Sequence, residues 1–151
     1  MTSPSEIQIL VVKQWVELGR EDLAWAETGA ENRSLPGPGK IGFHAQQAVE
    51  KLLKGLLTTY SVDPEDQHNL GRLIEQLRRL DRATGDAAAP SSQPTPYAVI
   101  YRYPPRNPLR SRQPTRDDAL HALQIARDAC ATLGAAIEKR LRLLQERAEP
   151  D

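Results

Sequence analysis

Residues 43–60, FHAQQAVEKLLKGLLTTY, decide the fold. At about 100° per residue, Ala45, Ala48, Val49, Leu52, Leu53, Leu56 and Tyr60 gather on one arc, and Gln47, Glu50, Lys51, Lys54 and Thr58 gather on the opposite one. The spacing predicts one helix whose apolar arc builds a core. Its polar arc is left for solvent, a subunit or a ligand.

On the N-terminal side, over residues 5–28, Val11, Val12, Trp15, Val16, Leu18, Leu23, Trp25 and Ala26 fall on roughly half of a helical wheel, which predicts a first amphipathic helix. Asp22 lies inside that apolar arc. It must be paired, hydrogen-bonded or kept at the rim, because an unpaired buried charge costs several kcal/mol. The LPGPG run at 35–39 separates the two helices, and the turn at 61–64 ends the second. Leu70, Leu73, Ile74, Leu77 and Leu80 then predict a third helix over 65–83, with His68 near its start.

From 84 to 114 no period survives. Prolines at 90, 94, 96, 104, 105, 108 and 114 argue against any regular helix there. The apolar and aromatic centre of this segment, 97–104, is expected to be pinned to the helices, with the flanks mobile. Thr115 can cap a last and longest helix, with Asp117 and Asp118 in its first turn matching the helix dipole. Ala119, Leu123, Ala126, Cys130, Leu133, Ile137, Leu141 and Leu144 recur along it at three and four. Helices joined by short, short and long connections give an all-α, antiparallel up-and-down four-helix bundle with a long proline-rich loop before the last helix. Residues 1–151 are expected to form a single domain, flexible at 1–5, 31–40, 85–96, 105–114 and 147–151.

The chain carries 20 basic and 20 acidic side chains, so bulk charge does not argue for nucleic acid. Distribution says more. No acidic residue falls between Ala87 and Arg116, while Arg102, Arg106, Arg110, Arg112 and Arg116 all do. The N-terminus lacks the pattern of a secretory signal and no run is long enough to span a bilayer, so a cytoplasmic location is expected. Cys130 stands alone among small apolar residues and is expected to be buried and inert. His44, His68 and His121 are far apart in sequence, without metal-ligand spacing, and no metal or cofactor is expected.

Trp15 with Asp22, Leu23 and Ala26, the run from Phe43 through Lys51 with Lys54, then His68-Asn69-Leu70 and finally Arg102-Tyr103-Pro104 span most of the chain in order. Together they resemble the HEPN domain family of bacteria and archaea. The resemblance implies a helical bundle, a homodimer, and work beside a separately encoded minimal nucleotidyltransferase in a toxin-antitoxin-like pair. It also implies, for the nuclease members, metal-independent RNA cleavage by an Arg followed four to six residues later by a His. Here the sequence departs from the family. Arg102 has no histidine in that range, and the one literal match, Arg116 and His121, is a spacing expected about once by chance given 15 arginines and three histidines. On a helix the two are separated by about 140°.

Several residues on the polar arc and the proline-rich loop are binding candidates for nucleotide or RNA. His44, Gln47 and Lys51 repeat at three, four and seven, giving a ridge of base, amide and cation that suits a phosphate ligand or a hydrogen-bonded subunit seam. Glu50 and Lys54, four apart, make a surface brace as readily as a site. Arg102 between Tyr101 and Tyr103 can take a phosphate while the rings stack on bases; as a brace it would pair with Asp22 or Glu50. His68 either edges the third helix or joins the site. Nucleophile elbows, phosphate loops and the carboxylate pair of a nucleotidyltransferase are absent from the sequence. The expectation is a nucleotide- or RNA-binding component of a two-gene system. A metal-independent endoribonuclease and a structural interaction module are the alternatives.

Overall fold

The apolar arc of 43–60 does build the centre of the molecule, in a helix that starts earlier than its leucines require. The computed structural model describes residues 4–35, 37–64, 66–93, 109 and 113–148. In it α2 runs Gly39–Thr59, and 14 of its 21 residues are buried, so it is surrounded rather than laid on a surface. Pro38, with φ −57° and ψ −25°, is already in the helical region and lets the first turn form directly after the glycine-proline break. Ile41 then adds its side chain to the core. Leu53, Leu56 and Leu57 are fully buried, each worth about 1.5–3 kcal/mol relative to exposure.

The end of α2 is set by backbone geometry. The Val62 amide donates back to the Leu57 carbonyl and the Ser61 amide to Thr58, with Ser61 at φ 60°. This is a Schellman closure with serine in the left-handed position that glycine usually fills.

α1 spans Pro4–Glu31 and packs antiparallel to α2. Gln8 donates its amide to the Thr58 carbonyl at 2.7 Å near one end, and Gly29 meets Ile41 near the other. Midway the helices come close enough that a Cβ on Gly55 would stand 3.1 Å from Trp15 Cβ. That contact is why glycine interrupts the leucines of α2.

The helix expected over 65–83 is two helices. α3 covers Leu70–Leu80 and α4 covers Arg82–Ala88, with Asp81 extended between them at φ −146° and ψ 91°. Asp81 ends α3 and caps α4, its carboxylate accepting from the Thr84 amide at 3.1 Å and the Thr84 hydroxyl at 2.5 Å. α4 folds back onto α3 so tightly that a Cβ on Gly85 would lie 2.6 Å from Arg78 Cγ and 3.0 Å from its backbone nitrogen. Arg78 then reaches Asp86 at 2.8 Å. The expectation of no regular helix after residue 84 is therefore corrected up to residue 92, since α4 continues into a 3₁₀ turn at Ala89–Ser92. Pro90 sits in the first turn of that element, where its missing N–H costs nothing.

α5 is Arg116–Ala148. Thr115 Oγ1 accepts from the Asp118 amide and Asp118 Oδ2 accepts from the Thr115 amide, the reciprocal closure of a capping box. Arg140 reaches Thr59 and lies over the Tyr60 ring, and Ile137 faces Gly55, so α5 runs in the direction of α2. Its contacts with α1 run the other way: Arg127 meets Glu27, and Arg116 meets the Ala30 carbonyl. All regular structure among the described residues is helical, with five α-helices and no strand. The segment 97–104, which contains Tyr101, Arg102 and Tyr103, and most of the flanking proline-rich stretch lie outside the described residues.

Candidate functional site

Antiparallel packing of α1 on α2 turns the polar arc of α2 into a seam of buried and half-buried charge. Asp22, only 7% exposed, comes from α1 into this seam and resolves the choice left by its place in the apolar arc. His44 Nδ1–H donates to Asp22 Oδ1 at 2.8 Å, and the Lys51 ammonium donates to the other carboxylate oxygen. His44 and Lys51 are seven apart on α2 and so face the same way, which lets one carboxylate hold both. With Nδ1 given to Asp22, the other imidazole nitrogen, Nε2, is left to accept when the ring is neutral and to donate when it is protonated.

A second group follows along α2. Glu50 Oε1 takes Lys54 Nζ at 3.2 Å and His68 Nδ1 at 2.9 Å. Lys54 Nζ also lies 5.3 Å from the centroid of Trp15. The surface brace expected of this pair is corrected: Glu50 is 5% and Lys54 3% exposed. A helical wheel of α2 alone places both on its polar side, but α1 and the segment before α3 cover that side. Pairing and the Trp15 face offset part of the desolvation of two charges.

Of the other candidates, Gln47 is half-buried on the same face as His44 and Lys51. His68 keeps an exposed ring while its Nδ1 ties the approach to α3 onto α2, and Asn69 rather than His68 caps α3. Asp22 and Glu50, the two proposed brace partners for Arg102, already hold His44 with Lys51 and Lys54 with His68; Tyr101, Arg102 and Tyr103 are outside the described residues. At the start of α5, Arg116 donates to the Ala30 carbonyl on α1, and His121 is exposed five residues later. The two are not brought together within one chain.

What the sequence did not single out is the hollow at the open end of the seam. It has a volume of about 380 Å³ and is lined by Trp25, Thr28, Gly29, Leu35, Gly37, Pro38, Lys40, Ile41 and His44. Trp25 is 66% exposed and stands nearly parallel to His44, with ring centroids 6.4 Å apart and planes at 27°. Phe43 also meets His44, edge-on, with ring centroids 5.5 Å apart. The available signal was Trp25 itself, a large aromatic three residues from Asp22, which the helical wheel of α1 places in its apolar arc and the structure leaves exposed.

Among the described residues no group of three or more His, Cys, Asp or Glu is placed to hold a metal ion. No described helix is long and apolar enough to cross a membrane. Comparison with protein families matches residues 12–136 to the model described as HEPN domain, a span from α1 to α5 that takes in both charge groups. Neither curated proteins nor solved structures gave a match.

Proposed function

The chain belongs to the HEPN domain family, and from that premise we propose that it is the nucleotide- or RNA-binding component of a two-gene, toxin-antitoxin-like pair with a minimal nucleotidyltransferase. The observation that carries this reading is the seam, where Asp22 and Glu50 fix His44, Lys51, Lys54 and His68 along α2. Buried ion pairs contribute little to stability beyond what apolar side chains of similar volume would give. Their presence at the only polar face of the central helix favours a recognition role, with His44 and His68 offering ring nitrogens at its edge.

The reading is of a binding protein rather than a nuclease, because Arg116 is committed to a backbone carbonyl and stands apart from His121 in the chain. It includes a cytoplasmic, up-and-down bundle that homodimerises. A groove of about 1040 Å³ between α1 and α5, with Val16, Leu23, Gly134 and Leu141 in its lining and charges of both signs beside them, Lys13, Glu17, Arg20, Arg127 and Glu138, supports the dimer by offering a second copy both apolar contact and ion pairing. A light-scattering mass equal to one chain removes the dimer, and failure to co-purify with the neighbouring gene product removes the pairing.

Fluorescence anisotropy with a labelled single-stranded RNA tests the function itself. Binding that falls at least tenfold in a His44→Ala, His68→Ala double variant supports the seam. Cleavage of the same RNA in chelator, abolished by Arg116→Ala or His121→Ala, would replace this reading with the ribonuclease.

A further inference from the structure

We propose that the hollow between the end of α1 and the start of α2 binds one nucleotide unit, its base stacked on Trp25 and its phosphate held by Lys40. The inference rests on the nucleotide-binding reading above and names a place for it.

The volume, about 380 Å³, lies within the range of small-ligand sites. Its walls are of two kinds. Trp25, Ile41, Leu35 and Pro38 are apolar, and Lys40 and His44 are polar and meet them from α2. An indole left 66% exposed forfeits much of the burial that makes tryptophan worthwhile in a helical core. Yet it is not loosely placed, because the His44 ring beside it is locked by Asp22, which Lys51 also holds. A flat face held in this way suits another flat ring, and base-on-aromatic stacking is worth about 1–3 kcal/mol per base.

Lys40 is exposed and has no ion-pair partner among the described residues, unlike Lys51 and Lys54. It sits in the first turn of α2, which holds no acidic residue and no side-chain cap. The positive end of the helix adds to the attraction of Lys40 for an anion. A phosphate belongs at that end and a base at Trp25, which fixes the polarity of the bound unit. The same chemistry is presented by free mononucleotide and by a nucleotide within RNA.

The test uses the full chain carrying Trp15→Phe, so that Trp25 is the one indole reporter, titrated with adenosine monophosphate, with inorganic phosphate and with a short single-stranded RNA. Trp25 fluorescence is expected to be quenched by the mononucleotide or the RNA and not by phosphate at equal concentration. Labelled RNA followed by anisotropy, in otherwise wild-type protein, should bind at least tenfold more weakly to Trp25→Ala and three- to tenfold more weakly to Lys40→Ala. Quenching by the mononucleotide assigns the site to free nucleotide, and quenching by RNA alone assigns it to a strand. Circular-dichroism melts within 2–3 °C of wild type establish that Trp25→Ala and Lys40→Ala fold, as expected for exposed side chains. RNA anisotropy equal to wild type establishes that Trp15→Phe, which changes a half-buried ring over Lys54, serves as the reporter background. RNA bound equally by wild type, Trp25→Ala and Lys40→Ala overturns this site and leaves the seam reading intact. No binding of mononucleotide or RNA by the wild type overturns both.

Discussion

Across the α1–α2 interface, Asp22 collects His44 and Lys51 from a second helix, whereas at the start of α5 Arg116 and His121 share one helix and diverge. Both regions offer a basic residue and a histidine at short spacing. In the first they meet because seven residues return to the same side of a helix and an antiparallel neighbour supplies the carboxylate. In the second, five residues carry the side chains to different sides, and Arg116 takes the Ala30 carbonyl on α1. Spacing within a helix nominates a pair; the facing helix decides whether it becomes a group.

The comparison breaks most visibly at Glu50. Replacing it with Ala strands the Lys54 ammonium, 3% exposed, without its carboxylate. Loss of one partner of a buried pair costs about 3–5 kcal/mol, and urea unfolding should show it. Restoration of most of that stability by a second change, Lys54→Met, is expected, because it removes the stranded charge. A Glu50→Ala loss under about 1 kcal/mol would mean that water reaches Lys54 and that the seam is a surface feature after all.

Cys130 sharpens the contrast between burial with a partner and burial without one. Burial, with Glu27 adding repulsion, pushes its thiol from 9.0 up to about 12. The folded chain therefore holds the proton where the unfolded chain loses it. The thiol's contribution to stability is complete below pH 9 and is lost as pH rises towards 12. At pH 8, alkylation of the native thiol should be about a thousandfold slower than that of an exposed cysteine. Labelling at the rate of an exposed cysteine would show that the α1–α5 groove opens readily.

Asp22→Ala is the milder cut through the seam. Lys51 and His44 keep 25% and 31% of their side-chain surface in contact with solvent, so water can replace part of what the carboxylate gave. The expected loss is about 1–3 kcal/mol, below that of Glu50→Ala. Loss of order in the His44 ring should accompany it, visible as weaker quenching of Trp25 fluorescence by ligand. Asp22→Ala as damaging as Glu50→Ala would show the two carboxylates to be one coupled group.

How far these regions were legible in the sequence follows from the same physics. The apolar arcs of α1, α2 and α5 are properties of single helices, and the expected elements appear within a few residues of their ends. The break at Asp81 was hidden because a cap inside a run of good helix formers looks like one more polar position, and the fit of Gly85 against Arg78 is tertiary. Glu50 and Lys54 were misplaced because a wheel drawn for α2 alone assigns its polar side to water. The hollow at Trp25 needs two helix ends and the turn between them. No one of those segments carries its pattern.

The smallest effects belong at the start of α5, and they test the other side of the comparison. Arg116 gives one charge-assisted hydrogen bond to the Ala30 carbonyl from a half-buried position. Arg116→Ala should cost about 1 kcal/mol or less, and His121→Ala, at an exposed position, should stay within about 0.5 kcal/mol. If the two residues only brace and decorate α5, their effects are independent and add in the double variant, with RNA affinity unchanged. Coupling between them, or a shared loss of RNA cleavage in chelator, would require the pair to meet across two copies of the chain. That outcome would move the chemistry from the seam to the α5 surface and leave the seam as its scaffold.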